Sequence, residues 1–483
     1  CPAKLSPAKT KELVELAKRA FRSLDLYDFA RVDVRMDKKG KPYILEINSM
    51  ASLGLTGTYV HAAKTAGYTY DSLINTILDV AAVRNFGPEY LGQTEPSTAS
   101  ARTKGSLSTR VRSFLRSQAG TIEDNVRRMV EMRTPAREVE RVNAFGDWME
   151  AQMKQLGFEA QTYPGVNVGV VRYFTNHNSE TNDVLILSHL DTAGDTHEPF
   201  REEGTRLYGT GVAESKGGLA VMLAALRALR FARVLRRVKC GVLLTTDDTL
   251  NGARSKPIVE ELAPKSRHMI GLKCADLDGS VVVSRSGRAT YQIEVDYPRR
   301  KKKPSQAEVI SRLLNQTVAL QRLASKRAGI RVGVTHVDVK AAFGRLPERA
   351  EAGITVRFDK GVKASDIEKR IREIVSEGDV PGVRLQATGQ VRRPPMERSK
   401  ANQSFFGEVE RIAKSINISV QPEHRPSSSD ICFAPASVPK VDGLVPLGNG
   451  VRTDDEYILR NSLVDRAALL AHVIHFCATG SAA

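Results

Sequence analysis

The chain has 483 residues, 41% of them hydrophobic and 26% charged, with 72 Lys and Arg against 55 Asp and Glu for a formal net charge of +17. This is the composition of a globular protein long enough for two to four domains, and it excludes a disordered or low-complexity chain. No apolar run approaches the roughly 20 residues that span a bilayer and the start carries no signal-peptide pattern, so no membrane partner is expected. The positive balance raises the question of nucleic acid, yet no zinc-finger, helix-turn-helix or RNA-binding signature accompanies the one dense run, Arg299 to Lys303. Such a run is most often a solvated loop, so nucleic acid is not expected as a partner, and an anionic substrate or product suits the charge equally well. Five cysteines (Cys1, Cys240, Cys274, Cys432, Cys477) show no paired spacing and read as reduced thiols in a cytoplasm. The chain begins at Cys1 rather than Met, which suggests a fragment of a longer one.

In chain order, helical spacing over Lys9 to Leu24 precedes two alternating runs, Ala30 to Val34 and Tyr43 to Asn48, joined by Asp37-Lys38-Lys39-Gly40. Two such runs around a Lys-Gly turn predict a hairpin. The two-residue period of strands puts Arg31 with Asp33 on one face, and Glu46 with Asn48 likewise. Two carboxylates and an amide oxygen converging across paired strands suit Mg2+ bound to nucleotide phosphates, unless they are merely the solvent face of an amphipathic hairpin.

The stretches CPAKL, FARVDVRMDKKGKPYILEIN and AAKTAGYTYDSLI make residues 4–90 similar to the C-terminal end of D-alanine–D-alanine ligase, an ATP-grasp enzyme. The resemblance implies that Asp33, Glu46 and Asn48 hold two Mg2+ ions on ATP, and that Arg31 steadies an acyl-phosphate or tetrahedral intermediate. The family follows its Asn with a Pro-Gly pair and a Ser/Thr loop for the second substrate. Here Ser49-Met50-Ala51-Ser52-Leu53-Gly54 stands instead. The family's adenine-binding strands, phosphate-contacting lysines and glycine-rich flap would all precede Cys1, so this is roughly a quarter of such an enzyme. It holds the metal corner and not enough to grip ATP.

Residues 1–90 are thus one predicted domain, and 91–119, rich in Ser, Thr and Gly, a flexible linker. Beyond it, helices from Thr121 and from Asn143 to Gly157 lead to strands at Val168–Tyr173 and Val184–Leu187, a helix over 215–230 and an apolar Cys240–Leu244. Alternating strand and helix predict an α/β layered sheet, over 120–289 and 397–483. Between its halves, 290–396 read as strand, a long helix (Ala307 to Ala328), two strands (Ile330 to Val339, Ile354 to Phe358) and a helix (Ala364 to Ser376). A last helix covers Leu463 to Phe476.

The chemistry-bearing stretch is Ser188 to Gly218. His189 and Asp191, two apart at a strand end, point to one side, so one can ligate a metal while the other orients it. Glu214 follows on a glycine-rich turn into an apolar helix. Taken in order, these two motifs make residues 120–478 similar to the zinc-dependent amidohydrolases and peptidases that include carboxypeptidase G2, aminoacylase and succinyl-diaminopimelate desuccinylase. The resemblance implies that His189 binds zinc supported by Asp191, that Glu214 stands where an Asp bridges two zinc ions, and that the β-α-β-β-α insert is a lid through which two chains dimerise.

Several family ligands are replaced. Asp247-Asp248-Thr249 stands for Asp-Glu-Glu, so Asp248 is the remaining candidate base, one methylene short, and Thr249 is no carboxylate. The next ligand falls on Ala275, beside Asp276, and the last, a His, on Arg452, which has no lone pair to give. The lid's catalytic His, expected near Tyr297, is absent from DYPRRKKKPSQ, and Gly344 or Arg345 replaces an Asn. His189, Asp191, Glu214, Arg357, Ser429 and Asp430 survive, the last three with Arg452 as substrate contacts.

The expectation is an ATP-grasp ligase segment fused to a peptidase-like domain with a vestigial zinc site, binding an amino-acid or peptide-like molecule without efficient hydrolysis. In it His189 hydrogen-bonds Asp191, and Arg452 neutralises Glu214 in place of a dication. Two alternatives stay open. One is a working peptidase with one zinc on His189, Glu214 and Asp276 or Asp248; the other is a scaffold with both sites inactive.

Overall fold

The computed structural model describes residues 3, 5–24, 26–86, 106–194, 197–296, 304–342, 345–347, 349–359, 364–377 and 383–480. The Arg299–Lys303 run, Tyr297, Gly344 and predicted linker residues 91–105 lie outside them. Contacts divide the chain into two units, Cys1–Lys104 and Gly105–Ala483. Among the described residues no helix is long and apolar enough to cross a membrane.

In the first unit the helix Pro7–Ser23 starts where Ser6 Oγ accepts the Lys9 N–H at 3.3 Å and proline supplies a preset φ. The hairpin forms as the alternation predicts: Arg31–Met36 pairs antiparallel with Pro42–Asn48, placing Arg31 opposite Asn48 and Asp33 opposite Glu46. Its turn closes because Asp37 Oδ1 accepts the N–H groups of Lys39 and Lys41 at 2.9 and 2.8 Å, and Gly40 takes φ +78°. Helices Thr58–Thr65 and Tyr70–Phe86 follow.

The second unit is built on an eight-stranded mixed sheet. Its strand order is Pro422–Arg425, Val281–Arg285, Lys440–Asp442, Ser266–Gly271, Asn182–His189, Cys240–Thr245, Val171–Thr175, Glu159–Tyr163. The central strands Ser266–Gly271, Asn182–His189 and Cys240–Thr245 are mutually parallel. Asn182–His189 and Cys240–Thr245 are buried along their whole length, as strands with both faces covered must be. On one face the apolar helix Gly217–Phe231 packs with Ser462–Thr479, Leu107–Ser117 and Ala119–Glu131.

The first of these flanking helices corrects the predicted linker. Residues 107–117 are a helix capped by Ser106, with Leu107, Val111 and Leu115 buried in the main core. The i, i+4, i+8 spacing of these three was hidden among arginines and serines. Leu115→Ala is therefore expected to cost about 2–5 kcal/mol, read from the urea midpoint, whereas a true linker residue would cost almost nothing.

Lys440, which opens the interior strand Lys440–Asp442, offers a second measurement. Its ammonium donates to the carbonyls of Ala434, Pro435 and Val438, at 3.1, 2.7 and 3.3 Å, yet burial pushes its pKa down to about 8. Above that pH the folded chain has released a proton that the unfolded chain holds until about 10.5. Stability should accordingly rise as pH goes from 8 towards 10.5, and Lys440→Met should flatten that rise in urea unfolding.

The lid is a four-stranded antiparallel sheet, ordered Arg331–Lys340, Arg349–Phe358, Gly287–Asp296, Arg384–Arg393. Helices Gln306–Ala319 and Ala364–Ser376 cover one face, over Ala289, Ile293, Ile354 and Val356. Two expectations are corrected here. The long helix ends at Ala319 rather than Ala328, because Ser325 pairs back with Ile330 across a turn in which Gly329 takes φ +66°. A sixth element, the strand Arg384–Arg393, completes the insert; its sequence RLQATGQVRR has too few apolar residues to announce it.

Candidate functional site

Three parallel strands deliver their carboxyl ends to one edge of the main sheet, where ligands of α/β proteins characteristically bind. His189 closes the first strand, Asp247 and Asp248 follow the second, and Lys273 lies two residues beyond the third. Glu214 arrives on the turn Val212–Lys216 that opens the helix Gly217–Phe231. A carboxylate from elsewhere shapes this turn: Glu456 accepts the N–H groups of Gly211, Ala213 and Glu214 at 3.1, 2.8 and 3.0 Å. Gly211 has φ +79°, and a Cβ there would lie 2.8 Å from Thr192.

Asp191 is fully buried and organises the neighbouring loop. It accepts the Thr249 N–H and hydroxyl at 2.8 and 2.6 Å and the Asp248 N–H at 3.3 Å. His189 Nδ1 lies 2.9 Å from the Asp191 carbonyl and 3.3 Å from its carboxylate. Its other nitrogen faces Glu214 at 3.7 Å and Asp248 at 3.9 Å, is buried, and has no hydrogen-bond partner. Ligand atoms of His189, Glu214 and Asp248 all lie within 4.8 Å of one another, a spacing compatible with one metal ion.

A side chain already reaches both carboxylates. The buried ammonium of Lys273 bonds Asp248 and lies 2.9 Å from Glu214. Arg452 also reaches Glu214 at 2.9 Å, the pairing expected from the sequence. Arg393, from the lid's last strand, donates to the Asp248 carbonyl at 2.9 Å and carboxylate at 3.2 Å, and bonds Asp430. Asp430 in turn donates its N–H to Asp248 at 3.1 Å and accepts from Thr245 Oγ1 at 2.9 Å.

These contacts set the protonation states. Burial alone would raise Glu214, but Lys273, Arg452 and His189 outweigh it and hold its pKa near 2. Asp248 is driven well below the usual carboxylate range in the same way, burial being overcome by Lys273 and Arg393. A carboxylate so stabilised is a weak proton acceptor, whatever its reach. Burial would lower His189, yet Asp248 and Asp191 hold it up at about 9. Asp430 is pushed up to about 6, by burial with Asp248 and Asp247 against the opposing Arg393.

The remaining predicted residues are placed as follows. Ser429 donates to Asp442 at 3.2 Å, and half-buried Arg357 donates to the Pro426 carbonyl at 2.7 Å. Asp276 is corrected as a ligand candidate: its carboxylate pairs with Arg425 at 2.7 Å and is outside the His189 group. Ala275, where a ligand was sought, is buried and bridges Leu447; the residue aimed at the cluster is Lys273, two positions earlier. Sequence reasoning missed Lys273, Arg393 and Glu456, although the Glu456 position in RTDDE was there to be read.

In the first unit Arg31 grips Asp33 through Nε and Nη2 at 3.0 and 2.9 Å and lies 3.6 Å from Glu46, while Asn48 donates to Glu46 at 3.1 Å. All four share one solvent-accessible face.

Residues 185–475 match the family described as peptidase family M20/M25/M40, and residues 1–79 match the D-ala D-ala ligase C-terminus. Carboxypeptidase G2 of Pseudomonas sp. is 22% identical over 362 residues, 72% of this chain and 87% of that protein. D-alanine–D-alanine ligase of Maridesulfovibrio salexigens is 32% identical over 80 residues, 17% of this chain and 26% of the ligase. The chain thus spans about a quarter of the length of the curated relatives its first segment matches. Among solved structures, a tripeptidase from Staphylococcus aureus superposes with TM-score 0.60 at 14% identity, over 75% of this chain and 99% of that one.

Proposed function

The chain belongs to peptidase family M20/M25/M40, with a D-ala D-ala ligase C-terminal segment fused ahead of it, and from that premise we propose a protein concerned with amide bonds whose peptidase-like domain binds rather than cuts. The single observation that carries this reading is Lys273: its ammonium already bonds the two carboxylates that a metal would need. A fixed cation between Glu214 and Asp248 repels a dication and neutralises the same charge, so the donor set does not fit a two-metal centre. The cavity beside His189 and Arg452 is about 40 Å³, far below the several hundred that hold a small ligand.

Purified, dialysed protein is expected to hold well under one zinc per chain by atomic emission; one or two equivalents would sink the reading. The convergence of His189, Glu214 and Asp248 favours a second reading, a peptidase with one zinc, and the same measurement decides it.

For the first segment we propose the metal corner of an ATP-dependent carboxylate–amine ligase, with Asp33, Glu46 and Asn48 as the Mg2+ ligands. Bound Mg2+–ATP would supply the phosphoryl group that activates a carboxylate. Arg31, already held by Asp33, would present its guanidinium to the charge that develops there. In a full-length protein that carries an adenine- and phosphate-gripping part ahead of this segment, phosphate release from ATP should depend on an added amino acid, and Glu46→Gln should reduce it about 100-fold or more. Its absence from the full-length protein would favour a scaffold.

The reading includes a reducing compartment, the cytoplasm, since Cys240, Cys274, Cys432 and Cys477 are buried free thiols. It also includes a homodimer through the lid, whose edge strand Arg331–Lys340 is exposed along most of its length. Light scattering would test the dimer: a mass of one chain would sink it.

A further inference from the structure

The helix Gly217–Phe231 starts beside the His189 cluster and carries its other end roughly 20 Å away, at about 1.5 Å per residue. That far end is strongly basic. Residues 226–239, LRALRFARVLRRVK, hold six Lys and Arg and no acid, and residues 105–118, GSLSTRVRSFLRSQ, on the helix packed against it, add three more. The helix's own C-terminal dipole offsets only about half of one such charge. Among the described residues Arg110, Arg227 and Arg230 meet no carboxylate. Arg110 donates to the Ala232 carbonyl at 2.9 Å, Arg227 to Gln152 Oε1 at 2.8 Å and Arg230 to the Gln155 carbonyl. Arg110 Nε is buried without a partner, and burial lowers the pKa of Arg227 with no neighbouring acid to oppose it. Arg233, two residues past Phe231, holds φ +58°, where glycine is the easier residue, so charge stands at this end at some cost to the backbone.

An apolar slot opens among these cations. Phe231 is 58% exposed although Phe114 stacks on it, with centroids 4.9 Å apart and planes inclined at 26°. Phe114, Leu156 and Phe231 line a groove of about 390 Å³ together with Gln155, Arg227 and Arg230. An exposed apolar recess rimmed by polar groups is the usual form of a docking site for another protein.

We propose that this groove docks an acidic segment of a partner protein, with an apolar side chain seated against Phe114 and Phe231 and carboxylates on Arg227 and Arg230. Charge complementarity selects the occupant. Guanidinium forks without a counter-charge match carboxylates, and the slot between them takes the anchor. A second copy of this chain would fit badly, because a two-fold interface sets the same patch, and so the same charges, against itself. A nucleic-acid strand is met by cations spaced along a track, whereas here they converge on one slot. The inference goes beyond the function proposed above and stands whether or not His189 holds zinc.

The test is fluorescence anisotropy of the full chain with a labelled short peptide of Asp and Glu around a central Phe. Two further peptides carry Ser in place of the Phe, or Asn and Gln in place of the acids. The acidic Phe peptide is expected to bind at least ten-fold more tightly than either, with an affinity that falls as salt is raised. Phe231→Ser and Arg230→Gln should each weaken it at least ten-fold and leave the melting temperature nearly unchanged, both side chains being exposed. Equal binding of the three peptides, or affinity untouched by both substitutions, would overturn the proposal. Tighter binding of an oligothymidylate or of phosphatidylserine vesicles, weakened by the same substitutions, would overturn it in favour of another macromolecule. Self-association lost on Arg230→Gln would do so in favour of a second copy. The peptide series on the parent chain decides the matter however either variant folds.

Discussion

Replacing Lys273 by methionine is expected to lower stability at pH 7 by about 3–5 kcal/mol, because it leaves Glu214 and Asp248 buried with less opposing charge. Thermal or urea unfolding measures this directly. The substitution should also change the acid limb. In the parent, Glu214 has a folded pKa of about 2 against an ordinary 4.5, so its contribution is present above pH 4.5 and is lost as pH falls towards 2. Without the ammonium that depression shrinks, and the loss of stability on acidification should shrink with it. Added zinc gives a sharper contrast: Lys273→Glu should acquire zinc-dependent stabilisation, with a melting temperature that rises with zinc concentration, while the parent shows none. A parent stabilised by zinc, or a Lys273→Met protein as stable as the parent, would refute the view of Lys273 as the internal cation.

The second large effect is expected at Asp442. This carboxylate is fully buried, 2.9 Å from the equally buried Arg285, and also accepts the N–H groups of Lys273 and Gly443 at 3.0 and 2.8 Å. Asp442→Ala strands a guanidinium in the core and releases the backbone that aims Lys273, so a loss of about 3–5 kcal/mol is expected. The double substitution Arg285→Met with Asp442→Leu should recover much of it, the two effects coupling strongly in a double-mutant cycle. Additive losses would mean that the pair does not act as a unit. Gly271 belongs to the same arrangement, since a Cβ there would lie 2.5 Å from the Asp442 carboxylate.

What the sequence made legible follows from the range of the signals. His189 and Asp191 sit at the end of an apolar run and Glu214 at a glycine turn, so their meeting could be expected from local pattern. The Glu214–Arg452 pair could be expected from charge, because an arginine in place of a ligand needs a carboxylate. Lys273 could not. A lysine in GLKCAD looks like any solvated lysine, and only the meeting of three strand ends buries it. Arg393 was invisible for the same reason: its partners Asp248 and Asp430 are 145 and 37 residues away in sequence. The helix Leu107–Ser117 shows the opposite failure, a local apolar stripe outweighed by polar composition.

Arg393 also bears on how the two layers of the second unit move. The lid leaves the main sheet near Gly287 and returns near Arg393, and the register sets Arg288 beside Arg393, so both crossings lie together like the two leaves of a hinge. A pin runs through that hinge: the guanidinium of Arg393, almost wholly removed from water, is fastened to Asp248 and Asp430 on the other side. Swinging the lid would pull three charged groups out of register in a dry environment, at a free-energy cost that a small ligand's binding would hardly offset. The angle between lid and sheet is therefore set when the chain folds.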